Sequence, residues 1–179
     1  MFKRKISLKI IFLFLLIIST ISFAAPTKEW TRLAGSTSID SGNDIAIDSN
    51  GNVYVVGDIA ENMDGQTNIG EGDMGIIKYN SSGLKQWTRL VGSINCDSGN
   101  GIAVDSFDNV YAVGSASNDV DAQNNDGEDD ILIVKYNSSG VKQWVRLLGT
   151  NSMDYAYDID IDNNNNISLL SGKNKIVQS

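Results

Sequence analysis

Three tryptophans, Trp30, Trp87 and Trp144, stand 57 residues apart, and from Lys28 onward the chain overlays on itself at that offset without a gap. The motif Trp-x-Arg-Leu-x-Gly returns each time, as Trp30 to Gly35, Trp87 to Gly92 and Trp144 to Gly149. Such self-similarity constrains the fold before any local propensity is weighed, because each copy is one supersecondary unit that buries its apolar faces only against its neighbours. The expected copies are residues 30–86, 87–143 and a shortened 144–179.

Within a copy, four short β-type runs are separated by turn residues. In the first copy they are Asn43–Asp48, Asn52–Gly57, Met74–Asn80 and Lys85–Val91; in the second, Asn100–Asp105, Asn109–Gly114, Ile131–Asn137 and Lys142–Leu148. Asn50-Gly51 supplies positive φ angles for a tight hairpin between the first two runs, and Gly83 ends the turn between the last two, so neighbouring strands are antiparallel. The third copy keeps strands near Asp158–Asp162 and Asn166–Leu170, with a third expected in the tail from Lys173. Lys28–Ala34 reads as a fourth strand with no blade before it, giving twelve strands in permuted order.

Runs such as Val53-Tyr54-Val55-Val56 and Ile131-Leu132-Ile133-Val134 are apolar without alternation. A strand apolar on both faces needs cover on both faces, which a stack of sheets provides and a lone sheet does not. The expected fold is therefore all-β: a β-propeller of four-stranded antiparallel blades, about three of them, forming an incomplete ring because closed propellers have ~4–8 blades. The length of the copy beyond a usual blade lies between second and third strands, at 58–73 and 115–130.

The stretches Gly101-Ile102-Ala103-Val104-Asp105, Asn109-Val110-Tyr111-Ala112-Val113-Gly114, Ile133-Val134-Lys135-Tyr136-Asn137 and Gln143-Trp144-Val145-Arg146 resemble the bacterial SBBP-type β-propeller repeat. The resemblance covers essentially the whole chain after its first segment. It implies four-stranded blades in exported bacterial proteins and brings no catalytic residue to transfer. Departures gather in the third copy, where the positions of Ala46 and Tyr54 hold Asp160 and Ser168.

The first residues have the layout of an export signal. Lys3, Arg4, Lys5 and Lys9 precede an apolar run from Ile10 to Ile18, too short for the roughly 20 residues of a membrane span, and Ser22 and Ala24 favour cleavage after Ala24. Residues 1–24 are thus expected to be a helical signal peptide and 25–179 an exported domain, periplasmic, surface-bound or secreted, with no membrane span after cleavage. Cleavage takes the formal net charge from −8 to −12. So acidic a chain lacks the basic face that phosphate neutralisation needs, which excludes a general nucleic-acid binder.

There is no histidine, so Ser-His-Asp and Cys-His arrangements and a typical zinc site are unavailable. Cys96 aligns with Ile39 and Met153, which predicts a buried, inert thiol. The recurring Trp and Arg residues predict packing between blades rather than carbohydrate platforms. Acidic residues gather in the long loops and blade connections, on one end of the propeller axis. There Asp64-x-Gln66-x-Asn68-x-Gly70-Glu71-x-Asp73 recurs as Asp121-x-Gln123-x-Asn125-x-Gly127-Glu128-x-Asp130. Alternating carboxylate and amide oxygens suit calcium, which makes Asp64, Glu71, Asp73, Asp121, Glu128 and Asp130 the candidate metal ligands.

The chain therefore reads as an exported, non-catalytic propeller-repeat module for binding or structural interaction. Its acidic face is expected to meet cations or a protein or glycan partner, and a second copy could complete the ring as a homodimer. Two alternatives are a metal-dependent, carboxylate-based hydrolase or lyase of propeller type and a truncated fragment of a longer propeller protein.

Overall fold

The computed structural model describes residues 28–172 and 175–178, with side chains through Gly172; the expected signal segment lies outside them. Among the described residues, eleven strands form three antiparallel sheets. Blade 1 contains β1 (Ser41–Ile47), β2 (Val53–Ile59), β3 (Asp73–Tyr79) and β4 (Lys85–Val91), paired in that order. Blade 2 repeats it as β5 (Ser98–Val104), β6 (Val110–Ala116), β7 (Asp130–Tyr136) and β8 (Lys142–Leu148). Blade 3 has β9 (Ala156–Ile161), β10 (Ile167–Ser171) and β11 (Lys175–Gln178), the last joined to β10 without the long loop of its predecessors.

Strict pleating explains the unbroken apolar runs. On blade 1, Ile45 pairs with Val55 and Val55 with Ile77, on one face; Ala46 pairs with Tyr54 on the other. The second face packs Tyr54, Val56, Met74 and Ile76 against Ile102, Val110, Ala112, Leu132, Val134 and Tyr136 of blade 2. The opposite face of blade 2 packs Tyr111, Val113, Ile131 and Ile133 against Ile159 and Leu169 of blade 3. Blade 2, the middle sheet, is buried on both faces, so its strands must be apolar on both.

Bulges next to Asn43 and Asn100 in the innermost strands turn these side chains toward the next blade. Asn43 Nδ2 donates to Gly99 O and Asn100 Nδ2 to Ala156 O, each at 2.8 Å. Glycine is obligatory beside each bulge, since a Cβ on Gly57 or Gly114 would lie 1.8 Å from Ser41 O or Ser98 O.

Two expectations need correcting. Residues 28–34 are not a strand: they pair with no sheet, and what fixes them is side-chain docking onto blade 1. In the first hairpin Asn50 does not share the positive φ expected of Asn50-Gly51, because only Gly51 has one, at 76°. The turn is a five-residue loop organised by Asp48, whose Oδ1 accepts from Asn50 N and Asn52 N and whose Oδ2 accepts from Asn52 Nδ2 and Tyr54 Oη. Asp105 does the same in blade 2 with Asp108 at the positive φ, and Asp162 in blade 3 with Asn165. Burial works against the charge on Asp48 and Asp105, yet these hydrogen bonds hold both carboxyls below the ordinary value.

Candidate functional site

The recurring Trp-x-Arg is the latch between blades. Trp87, on β4 of blade 1, sits between Tyr54 of its own blade and Tyr136 of the next, with ring centroids 5.9 and 6.1 Å away. Its Nε1 donates to Ser138 O at 3.3 Å, and Arg89 Nε donates to Gly140 O at 2.7 Å, so both grip the hairpin joining β7 and β8. Gly140 takes φ 75°, and a Cβ there would come within 2.9 Å of the Trp87 ring. Gly140→Ala is therefore expected to destabilise by about 1–3 kcal/mol, through left-handed backbone strain and displacement of the indole. A melting curve of this variant against Gly65→Ala, where φ is 75° but no atom lies within 4 Å, separates the two contributions.

Residues 28–34 repeat this latch on blade 1. Trp30 lies 5.8 Å from Tyr79 and donates to Ser81 O at 3.2 Å, while Arg32 Nε donates to Gly83 O at 2.6 Å. The segment thus occupies the position of a preceding blade's outer strand, but no sheet stands behind it among the described residues. Blade 1 consequently leaves its outward face open. Ile45 and Ile47 are 59% and 65% exposed, whereas Ile102, at the position of Ile45, is 4% exposed. A cavity of about 280 Å³ opens on this face, lined by Trp30, Ile45, Val53, Val55 and Ile77 among others. Apolar side chains of this size lose about 1.5–3 kcal/mol each when left in water rather than buried.

The far side of blade 3 differs. Asp160 stands at the position of Ala103, Ser168 at that of Tyr111, and Leu170 at that of Val113, the last 56% exposed. The array therefore has one apolar end and one polar end.

At the axial end carrying the long loops, carboxylates meet across blades. Asp97, in the connection to blade 2, accepts from Ser93 N, Ser93 Oγ and Ser117 N, which ties the connection to the end of β6. Asp73, at the start of β3 in blade 1, accepts from Ile69 N through Oδ2, but its Oδ1 is buried with no hydrogen-bond partner. Asp73 Oδ1 and Asp97 Oδ2 both point at Gly92: a Cβ on that glycine would stand 2.6 and 2.4 Å from them. Burial, then the charge of Asp97, raises the Asp73 carboxyl above its ordinary pKa; burial, then Asp129, raises Asp97. Blade 2 repeats the feature. Asp130 Oδ1 is likewise buried without a partner, and burial with the charges of Asp126, Asp154 and Asp129 raises its carboxyl.

The six candidate ligands are not brought together. Asp64 accepts two hydrogen bonds from Lys85 Nζ at 2.6 Å and one from Thr88 Oγ1, which places it against β4 rather than with Asp73. Asp121 accepts from Lys142 Nζ through Oδ2, without a hydroxyl partner, because Val145 stands at the position of Thr88. Burial of Met63 and Val120 folds each loop back along its blade, and this separates the two aspartates of each motif. The amides serve the loop itself: Asn68 Nδ2 donates to Ile59 O and its Oδ1 accepts from Gly70 N, with Asn125, Ala116 and Gly127 arranged alike. Glu71 and Glu128 are exposed. Among the described residues, no group of three or more His, Cys, Asp or Glu side chains is placed to hold a metal. The Asp73–Asp97 junction escaped the sequence reading because its members belong to different copies; the constancy of Gly92 and Gly149 was the available signal.

Cys96 also needs correction. It is exposed, as are Ile39 and Met153, because the connection between blades runs over the surface there. Partial burial of the thiol, with the charges of Asp97, Asp58, Glu71 and Asp129, still raises its pKa. Slow labelling at pH 7 that accelerates in alkali before any unfolding is expected. A rate that responds only to denaturant would return Cys96 to a buried position.

Residues 29–62 and 86–120 match the family model described as the SBBP beta-propeller repeat. Each matched segment begins at a Trp-x-Arg latch and runs through the first two strands of the following blade. Regulatory protein FlaEY of Caulobacter vibrioides is 27% identical over 141 residues, covering 71% of this chain and 15% of that protein. The chain thus spans about 15% of the length of this curated relative. Latch, hairpin and two-sided strands recur where the family model matches, and at those two segments the chain carries repeats that match the SBBP beta-propeller family.

Proposed function

We propose that the chain is an exported, non-catalytic propeller-repeat module that works by docking, with the open face of blade 1 as its contact surface. The observation carrying this reading is that Ile45, Ile47, Val53 and Val55 stand at the positions of Ile102, Val104, Val110 and Ala112, which blade 2 packs against its neighbour. An apolar surface already shaped to receive a sheet is an interaction site by construction. Export rests on the basic and apolar layout of residues 1–24. The name of the curated relative, a regulatory protein, agrees with a role in contact rather than catalysis.

The test uses the chain recovered from the extracytoplasmic fraction. Its intact mass should begin at Ala25, and at nanomolar concentration it should bind an environment-sensitive apolar dye that Ile45→Asp with Ile47→Asp no longer binds. A cytoplasmic chain retaining residues 1–24, or dye binding unaffected by the two substitutions, would contradict the reading.

A second reading keeps the cation. The orphaned, buried Asp73 Oδ1 and Asp130 Oδ1 favour it, since Asp73 Oδ1 and Asp97 Oδ2 converge over Gly92 and the charges of Asp126, Asp154 and Asp129 act on Asp130. Calcium would then bridge adjacent blades through Asp73 and Asp97 rather than sit within one long loop.

A further inference from the structure

We propose that two copies of the chain pair through the open faces of their first blades, about a two-fold axis, rather than closing head to tail into a ring. The proposal rests on the reading of that face as the docking surface and names its occupant.

Each blade junction joins a later blade's face, of the kind formed by Ile102, Val110 and Ala112, to an earlier blade's face, of the kind formed by Tyr54, Val56 and Met74. Both faces of the second kind on blades 1 and 2 are occupied. The remaining one, on blade 3, carries Asp158, Asp160 and Ser168, with Asp160 paired to Ser168 and Asp158 to Leu170. Head-to-tail closure would press Asp160 against Ile45 and Ile47, whereas Asp158 holds the position of Asp44, whose Oδ2 accepts from Ile102 N at the junction of blades 1 and 2. Arg32, the cation lining the cavity on blade 1, already donates to Gly83 O and Thr31 O. Asp160 keeps one backbone hydrogen bond, from Ile161 N, and covering a carboxylate so sparsely satisfied with apolar side chains is a large penalty, so the ring is disfavoured electrostatically.

The open face of blade 1 in a second copy brings one carboxylate to the cavity, Asp40, and that one already accepts from Ser36 N, Ser36 Oγ and Ala60 N. The face presents the same apolar side chains, and a self-complementary patch closes with two-fold symmetry and leaves no unsatisfied end of its own kind. Sheets of this kind pack face to face about 10 Å apart with side chains interleaved. The structure thus assigns opposite roles to the two ends: blade 1 pairs and the acidic face of blade 3 caps.

Light scattering of the mature chain should give twice the chain mass at micromolar concentration. Ile45→Asp with Ile47→Asp should return it to one chain mass with an unchanged circular dichroism spectrum, and Leu170→Asp should leave the dimer intact. Geometry is read independently by cysteine placement in a Cys96→Ser background, where Ile47→Cys alone should form a covalent dimer with a short bis-maleimide. Crosslinking only when the Ile47→Cys and Leu170→Cys variants are mixed would overturn the two-fold arrangement in favour of a ring while leaving the docking face in place. A single chain mass at every concentration would overturn the pairing altogether; the dye experiment at nanomolar concentration judges the docking reading separately.

Discussion

Trp87→Ala is expected to lower the stability of the folded chain by about 3 kcal/mol, the largest effect of any single tryptophan replacement. Trp87 fills the space between Tyr54 and Tyr136 and holds the next blade's hairpin through Ser138 O. Its removal opens a cavity at a junction and frees Arg89 from the indole face, 5.5 Å from the ring centroid. Trp144→Ala should matter less, because Trp144 has one described aromatic neighbour, Tyr111, at 6.0 Å. Trp30→Ala should loosen residues 28–40 while blades 1 and 2 melt together as before. Thermal melts of the three variants read this order, at roughly 2–4 °C per kcal/mol for a chain of this size. Equal losses at Trp87 and Trp144 would show that the latch across blades contributes nothing beyond packing within a blade.

Asp73→Asn is expected to raise stability at neutral pH by about 1–2 kcal/mol in the absence of calcium. The substitution removes a buried charge that faces Asp97, and an amide in place of the orphaned Oδ1 can donate to Asp97 Oδ2. Asp97→Asn should do the opposite, because Asp97 accepts three hydrogen bonds that an amide cannot all keep. The pH dependence follows from the same groups. The folded chain holds protons on Asp73, Asp97 and Asp130 more tightly than the unfolded chain does, so stability rises as pH falls from neutrality toward 3.8, the ordinary carboxyl value. Asp48 and Asp105 are shifted down, so their contribution is complete above 3.8 and is lost as pH falls below it. The stability maximum should lie on the acid side of neutrality, and Asp73→Asn should flatten the decline above it. If Asp73 instead ligates calcium, the sign reverses: in millimolar calcium Asp73→Asn would melt below wild type and lose its response to the ion.

The blades were legible because their signals are local. Two-sided apolar runs, the turn residues between them and the offset of 57 residues placed every blade strand to within about two residues. What escaped was set by contacts between copies or along a loop. Nothing near Lys28–Ala34 says that no sheet pairs with it among the described residues, where the strand-like segment is a docked latch. Cys96 looked apolar by alignment, yet Ile39 and Met153 are exposed beside it, because a periodic position can be apolar without being internal. The alternating oxygens of the long loop suggested a chelate; Lys85 and Lys142, 21 residues from Asp64 and Asp121, divert the first carboxylate of each motif to the blade's edge. The substitutions at Asp160 and Ser168, by contrast, were visible in the sequence, and their meaning became readable once the open apolar face of blade 1 stood at the other end of the array.

Blade 1 exposes a face that its sister blade buries, and the proposed docking puts the chain's contacts there. Hydrogen exchange measured by mass spectrometry across a concentration series tests it most directly. Exchange in residues 41–59 should slow as concentration rises from nanomolar to micromolar, while residues 98–116, already covered by blade 1, exchange at a constant rate. Concentration-independent exchange in residues 41–59, or equal slowing in residues 156–171, would contradict it.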